Sequence, residues 1–276
     1  MRAATAAVIL LLLPTPVLAW GLAAHAMITR DAVERTPPAL RDFLRANRSL
    51  LVDRTLEPDT VLRDRLGPRE ARRHYLNLEV LSTPPFTDIP DDARAARARY
   101  GPSRMRRAGC APWATEQVYR GLVATMRERN RARTLELAGH LAHYVQDAHS
   151  PLHSTVNYDG RRTGNDGIHA LYESKMIQRR AKFFRELGPD TPVPEQRQTQ
   201  IAARILGDLR EGHRALRTLF DADRKARDIG EPGSAAYLDA LFRQQGSAAR
   251  DQMREAARET AAFWTGAWIE AGKPRL

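Results

Sequence analysis

The chain has 276 residues, 42% of them apolar and 28% charged, with a formal net charge of +11. That length and apolar content exclude wholesale disorder, and they allow one large domain or two small ones around a buried core. The lone cysteine, Cys110, excludes an intramolecular disulfide. The basic balance fits polyanions such as nucleic acid or phospholipid headgroups as partners, or an arginine-rich surface that merely stays solvated.

Residues 1–19 read as a secretory signal peptide. Arg2, the apolar run AAVILLLL and the small-residue close Val17-Leu18-Ala19 match its three regions, and the run is too short for a spanning helix. Residues 20–276 are then the mature domain, secreted or periplasmic, with Trp20 as its first residue. No second apolar run approaches membrane length, so the mature chain is expected to have no transmembrane segment and at most a peripheral contact with membranes.

A helix is predicted from the Trp20 stretch to about Glu34, interrupted at Pro37-Pro38 and followed by a second over Ala39 to Ala46 with Leu40, Phe43 and Leu44 apolar. Leu50 to Leu66 holds Glu57-Pro58-Asp59-Thr60, a turn or helix start that Asp59 or Thr60 could cap. His74 to Glu79 reads as a short extended piece. Ser82 to Pro112, with five prolines and no sustained periodicity, reads as loop. Helices follow at Trp113 to about Arg129 and Thr134 to Ala148, the latter ended or bent near Pro151. A polar loop at Asn157 to Gly167 leads to a helix ending near Leu187. A proline-rich break at Gly188-Pro189 to Pro194 precedes two long helices, about Gln196 to Ala226 and Ser234 to Ile269, the second interrupted around Gly246. No internal repeat, glycine-rich phosphate loop or alternating strand pattern is present. The fold class is all-α, a single helical domain, loop-rich between the second and third helical groups.

Four of the eight histidines, His140, His143, His149 and His153, fall within residues 140–153. On the Thr134 to Ala148 helix, His140, His143 and Asp147 share one stripe, and His169 with Glu173 repeats the four-residue step. Spacing leaves open whether His140 or His143 partners Asp147. With His25, Asp59 and His74 added, the imidazoles and carboxylates exceed what one catalytic zinc needs. Clustered metals with such ligands suit phosphoester hydrolysis by activated water. No nucleophile-elbow serine motif is present, and Cys110 has no partner near in sequence.

The combination of Trp20 at the cleavage point, His143-x3-Asp147-x5-His153 and His169-x3-Glu173 resembles the zinc-dependent phospholipase C and S1/P1 nuclease superfamily, all-helical enzymes with three zinc ions. The resemblance covers roughly Trp20 to Arg180. It implies that the Trp20 amino group and carbonyl bind metal with His25. Asp59, His74, His143 and Asp147 would hold a second zinc, Asp147 bridging two ions, and His153, His169 and Glu173 the third. His140 then becomes supporting or core, His149 exposed or supporting, and His213 structural. A free α-amine has a pKa near 8 and is a competent ligand when deprotonated, so the full site would assemble only after export.

Glu173 as the last ligand, the absence of disulfides and the Glu57–Thr60 stretch resemble the phospholipase C branch. The five-residue step from Trp20 to His25 and the His74-Tyr75 pair resemble the nucleases, where Tyr75 would stack on a base. The expected function is a phospholipase C-like phosphodiesterase with Asp59 as general base. The alternatives are a single-strand nuclease or 3′-nucleotidase, and a non-catalytic protein stapled by zinc. The substrate is a phospholipid headgroup or single-stranded nucleic acid, with no protein partner predicted.

Overall fold

The structure, a computed structural model, describes residues 20–188 and 191–276; the signal peptide read in residues 1–19 lies outside them. The first helices are α1 (Leu22–Glu34), α2 (Pro38–Ala46) and α3 (Arg48–Leu56), the last running into a 3-10 turn, Glu57–Asp59. Short helices α4 (Val61–Leu66), α5 (Pro68–Ala71) and α6 (Leu78–Leu81) lead to α7 (Ala93–Ala108), α8 (Ala111–Arg127) and α9 (Arg131–Ala148). A 3-10 turn, Pro151–Ser154, precedes α10 (Ile168–Ala170), a π-helical turn Leu171–Met176 and α11 (Ile177–Arg179). The chain closes with α12 (Ala181–Phe184), α13 (Ile201–Arg227) and α14 (Ala235–Glu270). Among the described residues extended pairing is confined to one antiparallel bridge, Leu76 with Gly109. The fold is a single all-α domain, as the sequence predicts.

Helix α9 is the central post. From Thr134 to Ala148 every residue but Glu136 is buried, which a helix achieves only when neighbours cover it on all sides. Asn130 caps its start, its side chain accepting from Arg133 N–H at 3.1 Å. The Trp264 indole of α14 donates to the Ala138 carbonyl at 3.0 Å, tying the last helix to the post. On the α3 side the backbones almost touch: a Cβ at Gly139 would stand 2.5 Å from Arg54 Cβ and 2.8 Å from Thr55 N. Only glycine permits that approach, and it brings the Thr55 carbonyl to the α9 histidines.

Several predicted boundaries move. Ser82 to Pro112 is not loop throughout, because α7 lies inside it. Asp92 caps α7 by accepting from Ala95 N–H at 2.7 Å, and Gly101 at φ 73° kinks it before Pro102. Only Ala96 and Ala108 of α7 are buried, so no apolar stripe marks it in the sequence. The predicted interruption at Gly246 is absent: α14 runs through it, with the Phe242 ring filling the space a Cβ there would need. Asp59 and Thr60 do not cap α4 with their side chains; the Thr60 hydroxyl donates back to the Leu56 carbonyl at 2.9 Å. The extended reading of His74 to Glu79 holds only around Leu76, since α6 begins at Leu78.

Candidate metal centre

The site lies where α9, the turn after α3, the residues before Leu76 and the Pro151–Glu173 stretch converge. His25, Asp59, His74, His143, Asp147, His153, His169 and Glu173 are all buried, none more than 6% exposed. Three groups have ligand-competent atoms within 4.8 Å of one another: His25, His143 and Asp147; Asp59, His74 and His143, which shares His143 with the first; and His153, His169 and Glu173. All eight side chains read from the sequence come together. Trp20 is there too, its ring fully buried and its indole donating to the Gln146 carbonyl at 2.9 Å. Next to it, the Gly21 N–H donates to the Glu173 carbonyl at 3.1 Å.

The open question of His140 against His143 is settled by direction. His143 Nε2 stands 3.3 Å from Asp147 Oδ2, whereas His140 Nε2 faces Glu57 Oε2 at 2.9 Å. A turn of α9 separates them, and only His143 reaches the centre.

The tautomers follow from the partners, because a carbonyl oxygen can only accept. His143 Nδ1–H donates to the Thr55 carbonyl at 2.9 Å, and His153 Nδ1–H to the His74 carbonyl at 2.6 Å. Gln146 Oε1 receives His25 Nδ1–H at 2.7 Å, while Gln146 Nε2 donates to Thr29 at 3.0 Å. Each ring therefore turns a bare Nε2 lone pair inward. His74 is reversed: its Nε2 faces Glu70 Oε1 at 3.5 Å and its Nδ1 lies 2.9 Å from Asp147 Oδ2. Tyr144 hydrogen-bonds the same Glu70. Ser150 donates to Glu173 Oε1, and Arg63 to Asp59 Oδ1 at 2.9 Å. Outer partners of this kind orient metal ligands.

What remains is a cluster of acceptors facing acceptors. His25 Nε2, Asp59 Oδ2, Asp147 Oδ1 and His153 Nε2 are buried without a well-formed hydrogen bond, and so is His169 Nδ1, while His169 Nε2 faces Glu173 Oε2 at 2.8 Å as an ion pair. Such groups are rare in folded proteins because each costs about 1–3 kcal/mol of lost hydration. Here they converge on one place, and His143 Nε2 and His74 Nδ1 stand 3.0 Å apart. Dications fit this donor set.

The electrostatics agree. Burial works against charge on Asp147, yet His143 and His153 outweigh it and hold the carboxyl well below its ordinary range. Burial also opposes a charge on His74, but hydrogen bonds to Asp147 and Glu70 overcome it and raise the ring to about 9. Burial, with His25 alongside, pushes His143 down to about 4. The pocket draws positive charge without protonating every ring.

One expectation changes. His149 is neither exposed nor a supporter of this cluster: its side chain, 9% exposed, faces Asp208 and Glu259 on another side of the molecule. Tyr75 is half-buried, its ring close to Gly109, where a Cβ would meet Tyr75 Cδ2 at 2.7 Å. His213 pairs with Glu79 at 3.1 Å, in keeping with a structural role. Sequence reasoning missed Glu70, although Glu70-x3-His74 repeats the four-residue step. It also missed Gln146 and Ser150, which carry no spacing signature.

No family model matches the chain. A protein of Bradyrhizobium tropiciagri named a probable serine protease is 27% identical over 192 residues, 58% of this chain and 24% of that protein. The chain thus spans about a quarter of the length of the curated relative it matches. Among the described residues no serine hydroxyl hydrogen-bonds a histidine ring; Ser150 and Ser154 turn to Glu173 and the Pro151 carbonyl.

Proposed function

We propose that the protein is an exported zinc-dependent phosphodiesterase of the phospholipase C type. The observation that carries this reading is the convergence of eight buried imidazoles and carboxylates, several of whose inward atoms lack hydrogen-bond partners. The name of the Bradyrhizobium relative points to hydrolysis as well, although a serine nucleophile finds no histidine partner here. Zinc in these groups would supply Lewis-acid polarisation of a phosphoryl oxygen and lower the pKa of water to near neutrality.

The residues divide the remaining work. Asp147 lies between His25 on one oxygen, at 3.4 Å, and His74 and His143 on the other, so it would help to hold metal in both groups. Asp59 accepts from Arg63 on Oδ1, which also stands 3.6 Å from His74 Nδ1 and 3.9 Å from His143 Nε2, and its Oδ2 has no hydrogen-bond partner; this carboxylate would take the proton of the attacking water. Gln146, Thr55, Glu70 and Ser150 fix ring and carboxylate orientation.

The surroundings favour lipid. Val61, 56% exposed, and Leu66, 39%, lie on α4 directly after Asp59. Tyr158 is 46% exposed, with its ring 5.6 Å from that of His169. Exposed apolar groups beside a phosphoester site suit a substrate presented at an interface. Among the described residues no helix is long and apolar enough to cross a membrane.

A second reading, a single-strand nuclease, draws support from a cavity of about 930 Å³ that none of the eight candidate ligands lines, so it would hold a distant stretch of the strand. Arg179, Arg180, Lys182, Arg185, Arg250 and Arg254 line much of it, a surface suited to a polyanion. The mature chain from Trp20, loaded with zinc, should be offered phosphatidylcholine vesicles, single-stranded DNA and 3′-AMP. Release of diacylglycerol from the vesicles is expected. Cleavage of DNA alone would transfer the assignment to the second reading, and tight zinc binding with no hydrolysis would make the ions structural.

A further inference from the structure

His149, Asp208 and Glu259 come from the end of α9, the first half of α13 and the last third of α14. Their ligand-competent atoms all lie within 4.8 Å of one another, and none belongs to the cluster described above. Three features mark the place as more than an acidic patch.

The first is the direction of the histidine. His149 Nδ1–H donates to the Val145 carbonyl at 3.0 Å, the same anchoring that His143 and His153 use, so Nε2 presents its lone pair to the carboxylates. The second is the spacing. His149 Nε2 is 3.7 Å from Glu259 Oε2 and 4.0 Å from Asp208 Oδ1, too far for hydrogen bonds and close enough to share one ion. The third is the orphaned oxygen. Glu259 is only 7% exposed; Arg204 occupies its Oε1 at 2.8 Å, while its Oε2 has no hydrogen-bond partner, nor has Asp208 Oδ2. No other residue supplies a donor to these facing atoms, Arg204 being bound to the other oxygen of Glu259.

We infer that His149, Asp208 and Glu259 form a fourth cation site, a mononuclear one that takes zinc or a similar divalent ion. One imidazole and two carboxylates form a donor set suited to that ion. Burial and the neighbouring Glu259 carboxylate push the Asp208 carboxyl well up, so without a metal the two carboxyls share a proton that a bound dication would displace. The site opens on a cavity of about 610 Å³ whose walls include Gln196, Gln198 and Gly212, so an ion can enter from solvent. Its role is structural. It ties the end of α9, two residues past Asp147, to α13 and α14 in a chain that has no disulfide to do so.

The test uses the mature protein, saturated with zinc, desalted and analysed for metal content. Glu259→Gln should bind one zinc equivalent fewer than the parent while keeping phosphoester hydrolysis within about twofold, and Asp208→Asn should lose the same single equivalent. Equal zinc content in parent and variants would overturn the proposal. Anomalous diffraction at the zinc edge on the parent protein keeps the question open to refutation if a variant fails to fold. A peak among the three side chains supports the site, and its absence while the main cluster is filled overturns the site alone.

Discussion

Gln146 Oε1 lies 2.7 Å from His25 Nδ1 in a fully buried setting. The same residue receives the Trp20 indole on its carbonyl, so one position on α9 holds both groups assigned to the N-terminal metal. Gln146→Leu keeps the volume but removes the acceptor that selects the His25 tautomer. Outer partners of this kind are worth about 10–100-fold in metal affinity. Competition with a chromophoric chelator should show one weakened zinc site in the cluster and the other sites unchanged, with the helical content by circular dichroism retained.

Trp20 gives a second test. Its buried ring and the Gly21 bond to Glu173 leave its backbone beside the cluster. A mature chain carrying one additional alanine before Trp20 loses the free amine at that place. It should lose hydrolysis while the groups built on His74 and on His169 still bind zinc. Full activity in that variant would remove the amine from the ligand set.

Gly139 and Gly207 should respond oppositely to alanine. At Gly139 a Cβ meets the α3 backbone at 2.6 Å, and α3 carries the carbonyl that orients His143. Overpacking of this sort costs about 1–3 kcal/mol, so Gly139→Ala should lower Tm and weaken zinc binding together. At Gly207, inside α13, nothing lies within 4 Å of the added carbon. There the lost backbone freedom of the unfolded chain should raise stability by about 0.5–1 kcal/mol. A thermal melt of each variant checks the pair.

Tyr237 predicts an alkaline limit. Burial, then its hydrogen bond to Asp223, raises the phenol above its ordinary value. The folded chain keeps that proton where the unfolded chain sheds it, above about pH 10. Stability therefore falls as pH rises past that point. Tyr237→Phe should be less stable near neutrality, since Asp223 loses a donor, yet show a shallower fall in Tm between about pH 9 and 11. Asp223 also holds Asn165 Nδ2 at 2.7 Å, so the loop bearing Tyr158 should become more protease-sensitive in the same variant.

The helical posts were legible because burial leaves a pattern. The apolar faces of α2 and α9 announce themselves at three- and four-residue steps, and so do the ligand pairs His143 with Asp147 and His169 with Glu173. Helix α7 was hidden because it buries only two alanines, and Gly246 misled because a glycine inside a buried helix looks like a break. The partnership of His149 with Asp208 and Glu259 was invisible for another reason. It is made by three helices meeting, with no short spacing to record it. Gly139 belongs with that group, since its need for a bare Cα comes wholly from α3.

The buried cluster of eight side chains is proposed to hold metal. Zinc-edge anomalous diffraction from crystals of the mature protein tests it most directly. Three peaks are expected within the cluster, one beside His25 and Asp147, one among Asp59, His74 and His143, and one among His153, His169 and Glu173. Crystals grown with excess zinc that show no anomalous density at any of these places would contradict it.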